Sequence, residues 1–271
     1  VGHAVHRRVA AVELTVSRLT LLIQLNFYPE NPMTQASTQA TGKTITFKRP
    51  DGKELSGYLA SPAKTEGAPA VVVIQEWWGL NDQIRGVADR LAASGYLALV
   101  PDLYRGEMTV EEEEAHHLMD KLDFADAATQ DIRGAVQYLK GHSQKVGVTG
   151  FCMGGALTLL ALNFIPELSA GVVFYGMPPL EFLDPAAIKV PVQAHWGTQD
   201  EFFPADGVDQ LEAKLSEGGV DLEFHRYLAH HAFANEEAVG PGRIPGTQYD
   251  PVWAQLAMDR TLTFFGRTLW G

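Results

Sequence analysis

The chain holds one cysteine in 271 residues, and its neighbours decide what that thiol can do. Cys152 lies in Gly150-Phe151-Cys152-Met153-Gly154-Gly155, a Gly-x-nucleophile-x-Gly pattern with sulfur where a serine hydroxyl is more usual. A sharp strand-to-helix turn forces its central residue into strained backbone geometry, and flanking glycines remove the Cβ atoms that would collide. The turn also sets the thiol at a helix N-terminus, where the dipole and free N–H groups favour a thiolate. The competing reading is a buried structural cysteine, the common state of a free thiol. A dinucleotide loop over Thr149-Gly150-x-x-x-Gly154-Gly155 is disfavoured: the final glycine is missing and no acidic ribose ligand follows the next strand. No Gly-Lys-Ser/Thr follows, which excludes a P-loop.

A nucleophile on such a turn is followed along the chain by an acid and then a histidine. Asp200 ends Gly197-Thr198-Gln199-Asp200, in the loop after an apolar strand, where the acid belongs. It can equally be a cap for the helix that opens near Pro204. Ala229-His230-His231-Ala232-Phe233 follows the next strand, and adjacency alone does not choose between the two histidines. His195 and His225 fall within strands and read as core residues; His116 and His117 fall in an acidic helix and read as surface. Glu76-Trp77-Trp78-Gly79-Leu80 follows another apolar strand. There the Trp77 N–H, with that of Met153, is placed to hold an oxyanion. Glu76 is a carboxylate beside the thiol: a base for Cys152, a partner for a cation, or half of a structural salt bridge. Arg105, in Pro101-Asp102-Leu103-Tyr104-Arg105-Gly106, is either a cation at the rim of the site, suited to a substrate carboxylate, or a plain surface arginine.

These residues need a scaffold, and the hydrophobic pattern supplies one. Residues 44–48 and 54–60 flank Pro50-Asp51-Gly52 and predict a hairpin. Residues 69–75 (PAVVVIQ) are a β-branched run typical of a strand buried on both faces. Further strands are predicted over 96–100, 145–149, 170–175, 190–196 and 222–228. Helices are predicted over 84–94, 110–121, 124–140, 153–163, 204–216 and 251–265. Strand–helix alternation implies an α/β chain: a mostly parallel central sheet with helices on both faces, whose ligands bind beyond the carboxyl ends of the strands.

Composition excludes several classes. With 21 basic and 33 acidic side chains the net charge is −12, so a nucleic-acid partner is not expected. An apolar fraction of 46% argues against disorder. One cysteine rules out an internal disulfide and a multi-cysteine metal site, and no histidine–carboxylate spacing suggests a metal or cofactor. The acidic run Glu111–Glu114 reads as a solvated helix face. Residues 1–41 read as an N-terminal extension, disordered or not native, with 1–32 upstream of a natural start at Met33. A poor signal peptide, with Arg7, Arg8 and Arg18 ahead of residues 19–27, is the alternative. That apolar stretch is too short to span a bilayer. The expected protein is cytoplasmic, a monomer or weak homo-oligomer, with no membrane partner.

Taken together, Gln75-Glu76-Trp77-Trp78-Gly79, Pro101-Asp102-Leu103-Tyr104-Arg105-Gly106, the Cys152 turn, Gly197-x-x-Asp200 and His231-Ala232-Phe233 resemble the dienelactone hydrolase family of α/β-hydrolases. Tyr249-Asp250-Pro251 and Trp253 resemble its closing segment, and the likeness runs over about residues 42–267. It implies one α/β-hydrolase domain over 42–271, acting as a carboxymethylenebutenolidase-like hydrolase on a small-molecule lactone or ester. The resemblance implies a Cys152–His231–Asp200 triad, the His-x-Phe pattern selecting His231. Glu76 would help to ionise the thiol, while Arg105, Tyr104, Trp78 and Asn235 would bind substrate. The family's second arginine is expected four residues after the histidine, where this chain has Asn235, which leaves Glu76 without its cationic partner. Arg243 stands nearby in an insert over 239–248 and is not a motif match. The alternatives are a general carboxylesterase or thioesterase of the same fold, or a non-catalytic ligand-binding or redox-sensing module using Cys152.

Overall fold

The computed structural model describes residues 41–270. The expected extension and the signal-like stretch lie outside the described residues, except that Thr41 already belongs to a strand. The sheet has eight strands: β1 (Thr41–Lys48), β2 (Glu54–Ser61), β3 (Ala70–Ile74), β4 (Leu97–Pro101), β5 (Val146–Phe151), β6 (Ala170–Phe174), β7 (Val192–Gly197) and β8 (Leu222–Tyr227). They lie in the order β1-β2-β4-β3-β5-β6-β7-β8. The hairpin β1–β2 turns at Pro50-Asp51-Gly52, and β2 pairs antiparallel with β4; the remaining neighbours are parallel. Every residue of β3, β4, β5, β6 and β7 is buried, as strands covered on both faces must be.

The main helices are α1 (Asp82–Ala93), α2 (Glu112–Lys121), α3 (Arg133–Lys140), α4 (Met153–Phe164), α5 (Ala205–Glu217) and α6 (Pro251–Leu269). One departure from the predicted pattern is instructive. The single helix expected over 124–140 is a short turn (Phe124–Asp126), a π-helical segment (Ala127–Ile132) and then α3. The π segment carries Asp131, fully buried, which Arg49 meets at 2.8 Å from the end of β1 and Arg105 at 3.0 Å from the loop after β4. A buried carboxylate needs such partners, and the widened turn coincides with the point where two guanidinium groups converge on it. His195 behaves as expected of a core histidine: its ring nitrogens face Tyr227 Oη at 2.8 Å and Gln193 Oε1 at 2.9 Å, and burial drives its pKa well down.

Sheet order also locates the functional end. From β3 the chain crosses to β4 on one side, and β5 returns on the other, so β3 and β5 form the switch point where such sheets open a crevice. Ile74 is paired in register with Gly150, so two residues further on Glu76 and Cys152 leave the sheet side by side.

Candidate active site

Cys152 connects β5 to α4 with φ 53° and ψ −117°, a conformation that costs a non-glycine residue about 1–3 kcal/mol. Three other non-glycine residues have positive φ among the described residues: Arg105, Tyr175 and Ala232. All three lie just beyond the carboxyl ends of strands, after β4, β6 and β8 respectively. The backbone strain therefore gathers at one end of the sheet. The turn is held by Cys152 N–H donating to Phe174 O at 3.1 Å and Gly155 N–H donating to Cys152 O at 2.8 Å. The glycines are needed for close approach. A Cβ on Gly150 would lie 2.1 Å from Gly154 O, and one on Gly154 would lie 2.4 Å from Ile74 O. This contact presses the first turn of α4 onto the end of β3.

His231 and Asp200 come together across two loops. The His231 ring donates from Nδ1 to Asp200 Oδ2 at 2.8 Å, which leaves Nε2 for the sulfur. Asp200 also performs the capping role: its Oδ1 accepts the N–H groups of Phe202 at 2.9 Å and Phe203 at 3.0 Å, fixing the turn before α5. The two readings of Asp200 thus belong to its two oxygens. The ring is packed against Tyr175, Phe202 and Phe203. Burial opposes its charge, but the negative charge and hydrogen bonding of Cys152, together with Asp200, push its pKa up to about 10. The imidazolium is the counter-ion that a thiolate requires. His230 is set apart, its Nδ1 3.1 Å from Gln199 O.

Glu76 is buried and has two donors, Asn235 Nδ2 at 2.5 Å and Tyr175 Oη at 3.2 Å. In place of the arginine expected at position 235, the shorter, neutral amide of Asn235 takes the carboxylate itself. Asn235 lines the cavity, yet its amide nitrogen is committed to Glu76. Burial raises the Glu76 carboxyl; the charge of His231 and the hydrogen bonds from Asn235 and Tyr175 pull it down without cancelling that effect. Tyr175 is kept protonated by burial and by its acidic neighbours Glu76 and Cys152, so it is the donor of this pair. Among the described residues neither the Trp77 N–H nor the Met153 N–H has an acceptor.

Arg105 is placed differently from the expectation. Its guanidinium turns back to Asp131 and to the carbonyls of Asp102 and Leu103, and it does not line the cavity at Cys152. The physical reason is the fully buried Asp131, which would otherwise rest on Arg49 alone. Tyr104 is also withdrawn, its hydroxyl 3.2 Å from the Met153 sulfur beneath the turn. Trp78 does line the cavity, packed edge-on against Trp77.

That cavity has a volume of about 940 Å³ and opens over Cys152, Glu76 and His231. Sequence reasoning missed most of its walls, which come from residues such as Met177, Phe182, Phe202 and Ile244 in the loops after β6, β7 and β8. A weak signal was present: apolar side chains in strand-end loops have little reason to be there unless they face a ligand. His116, exposed as expected, also lines the cavity and meets the Trp77 ring edge-on at 5.0 Å.

The chain is similar to known proteins over this whole region. The family model described as "Dienelactone hydrolase family" matches residues 55–269. The chain is 35% identical over 237 residues to "Protein usf" of Aquifex pyrophilus, covering 83% of this chain and 97% of that protein. It is 32% identical over 235 residues to the "Putative carboxymethylenebutenolidase" of Aquifex aeolicus, with the same 83% and 97% coverage. Among solved structures, that of a "Putative Dienelactone Hydrolase" from Klebsiella pneumoniae matches with a TM-score of 0.72 and 26% identity, over 84% of this chain and 99% of the other. The strand order, the turn at Cys152 and these likenesses agree: the chain belongs to the dienelactone hydrolase family, a group of hydrolases with the α/β-hydrolase fold.

Proposed function

We propose that the protein hydrolyses the acyl–oxygen bond of an ester or lactone through a Cys152–His231–Asp200 triad and a thioester intermediate. The observation that carries this reading is the His231 Nδ1–Asp200 Oδ2 bond of 2.8 Å, which aims the ring's other nitrogen at a sulfur held on a strained turn. The Cys152 thiolate attacks the carbonyl carbon, and the oxyanion gathers between the Trp77 and Met153 N–H groups. As the tetrahedral intermediate collapses, the C–O bond breaks and His231 gives its proton to the departing oxygen. Water then enters, His231 removes one of its protons, and the hydroxide attacks the thioester. Cys152 leaves as thiolate and the acid product departs. Asp200 keeps one tautomer in place throughout and stabilises the imidazolium. Glu76 stands beside the sulfur as a buried carboxyl able to exchange a proton with it in the resting enzyme.

A thiolate suits esters with good leaving groups, because it attacks readily and needs little acid assistance. Within this reading, the engagement of Arg105 with Asp131 favours a general carboxylesterase over an enzyme confined to carboxylate-bearing lactones. The test is turnover of p-nitrophenyl butyrate and of an enol lactone by wild type and Cys152→Ala. The expected result is a loss of at least roughly 10³-fold with the fold intact. Retained turnover in a folded Cys152→Ala protein would remove the proposed nucleophile.

A further inference from the structure

We infer that the substrate is a neutral ester or lactone carrying a bulky apolar group, a long alkyl chain or an aromatic ring, and that a small anionic lactone is a poor substrate; this rests on the hydrolytic reading of Cys152. Three independent features of the cavity support it. The first is size. At about 940 Å³ the cavity is near the top of the range of about 300–1,000 Å³ that encloses whole drug-sized ligands. A bare five-membered lactone would leave most of it filled with water.

The second feature is the chemistry of the walls. Away from the sulfur the lining is Met119, Phe124, Leu160, Met177, Phe182 and Ile244. Such surface gains from every methylene laid against it, and two methionines give it the adaptability to accept more than one shape. The apolar character continues to the rim: Val110 is 84% exposed, Phe182 61% and Phe202 44%, all of them lining residues. Large apolar side chains left this open beside a pocket indicate a ligand that covers them.

The third feature is charge. Glu111, Glu112 and Glu237 line the cavity in addition to buried Glu76, and among the described residues Arg243 is the one Lys or Arg in the lining. Arg243 is occupied in shaping its own loop, donating from Nε to Thr247 O at 2.7 Å and from Nη1 to Gly240 O at 3.3 Å. Glu237, an exposed residue near Asp82 and Glu236, is pushed above the usual carboxyl range by partial desolvation and by those two acids. With the His231 ring engaged by Asp200 and Cys152, a carboxylate on the substrate would therefore meet more like charges than cations. The cavity admits a neutral group and repels an anionic one.

The test is a matrix of p-nitrophenyl esters with acyl chains of two, four, eight and ten carbons, and of butanoate esters with methyl, octyl and benzyl alcohols. A hemisuccinate ester serves as the anionic arm. The expected result is a rise in kcat/KM of roughly tenfold or more between the short and the eight-carbon members of at least one series, with the hemisuccinate below its neutral counterpart. The two series distinguish an acyl-side from an alcohol-side apolar group. Leu160→Glu should lower kcat/KM for the eight-carbon ester several-fold more than for the acetate. Flat or falling rates with chain length in both series, or preference for the hemisuccinate, would overturn the inference. If those rates still vanish in Cys152→Ala, the hydrolytic reading survives and only the substrate class fails. Where no ester is turned over, binding decides: titration of 2-undecanone against 2-butanone by Trp77 and Trp78 fluorescence should favour the longer ketone by roughly tenfold or more, and equal affinity would overturn the inference.

Discussion

The Cys152 sulfur is acted on by three things at once: a strained φ, the N-terminus of α4 and a protonated ring steadied by Asp200. The ring is the part whose state can be read directly. Burial alone would lower the His231 pKa, and the charge of Cys152 is the largest influence lifting it to about 10. Removing that charge leaves burial opposed by Asp200 alone. The expected outcome is a His231 imidazole that stays protonated through pH 8 in wild type and titrates markedly lower in Cys152→Ala, followed by histidine ¹⁵N shifts. The same midpoint in both proteins would mean that sulfur and ring do not share a charge. These three residues were readable from local context, since Cys152, Asp200 and His231 each follow a strand. Choosing His231 over His230 needed the family pattern, because two adjacent side chains cannot be told apart until the turn at Ala232, with φ 58°, aims one of them inward.

Strands and helices set these distances through a few backbone contacts. The start of α4 is packed onto β3 so tightly that a methyl on Gly154 would lie 2.4 Å from Ile74 O and 2.6 Å from Gln75 O. Both obstacles are main chain and cannot swing away. Gly154→Ala should therefore destabilise the fold by about 1–3 kcal/mol or more in urea melts. It should also depress kcat, because the displaced backbone bears Trp77 and Met153. Gly266→Ala is the matched control: it has open space around it within α6, and its stability should hold or rise by up to about 1 kcal/mol. Equal effects at the two sites would show that the α4–β3 contact does not fix the turn. Fully buried strands such as β3 were readable because parallel sheets covered on both faces admit only unbroken apolar runs. The π segment 127–132 was not, since its sequence keeps helical spacing and its widened turn accompanies contacts with Arg49 and Arg105 from elsewhere in the chain.

Across the molecule, the sheet order makes a catalytic end out of loops that are distant in sequence, and it also redirects residues whose local motif suggested another role. Arg105 belongs to a loop that resembles a substrate-binding motif, but 26 residues away the chain buries Asp131, and the ion pair takes the guanidinium away from the cavity. Partnerships of this kind leave no periodic trace, and neither did the meeting of Asn235 with Glu76 across 159 positions. The order β4-β3-β5 nevertheless puts Glu76 and Cys152 at the switch point, as the alternating pattern required. The central claim is covalent chemistry at one sulfur in that position. It is met most directly by mixing wild type with excess p-nitrophenyl butyrate, quenching in acid during the first turnover, and mapping the adduct by peptide mass. A butyryl group on the Cys152 peptide, released by hydroxylamine and formed at the rate of the p-nitrophenol burst, is the expected result. Steady turnover with an unmodified Cys152, or with the acyl group on any other residue, would contradict it.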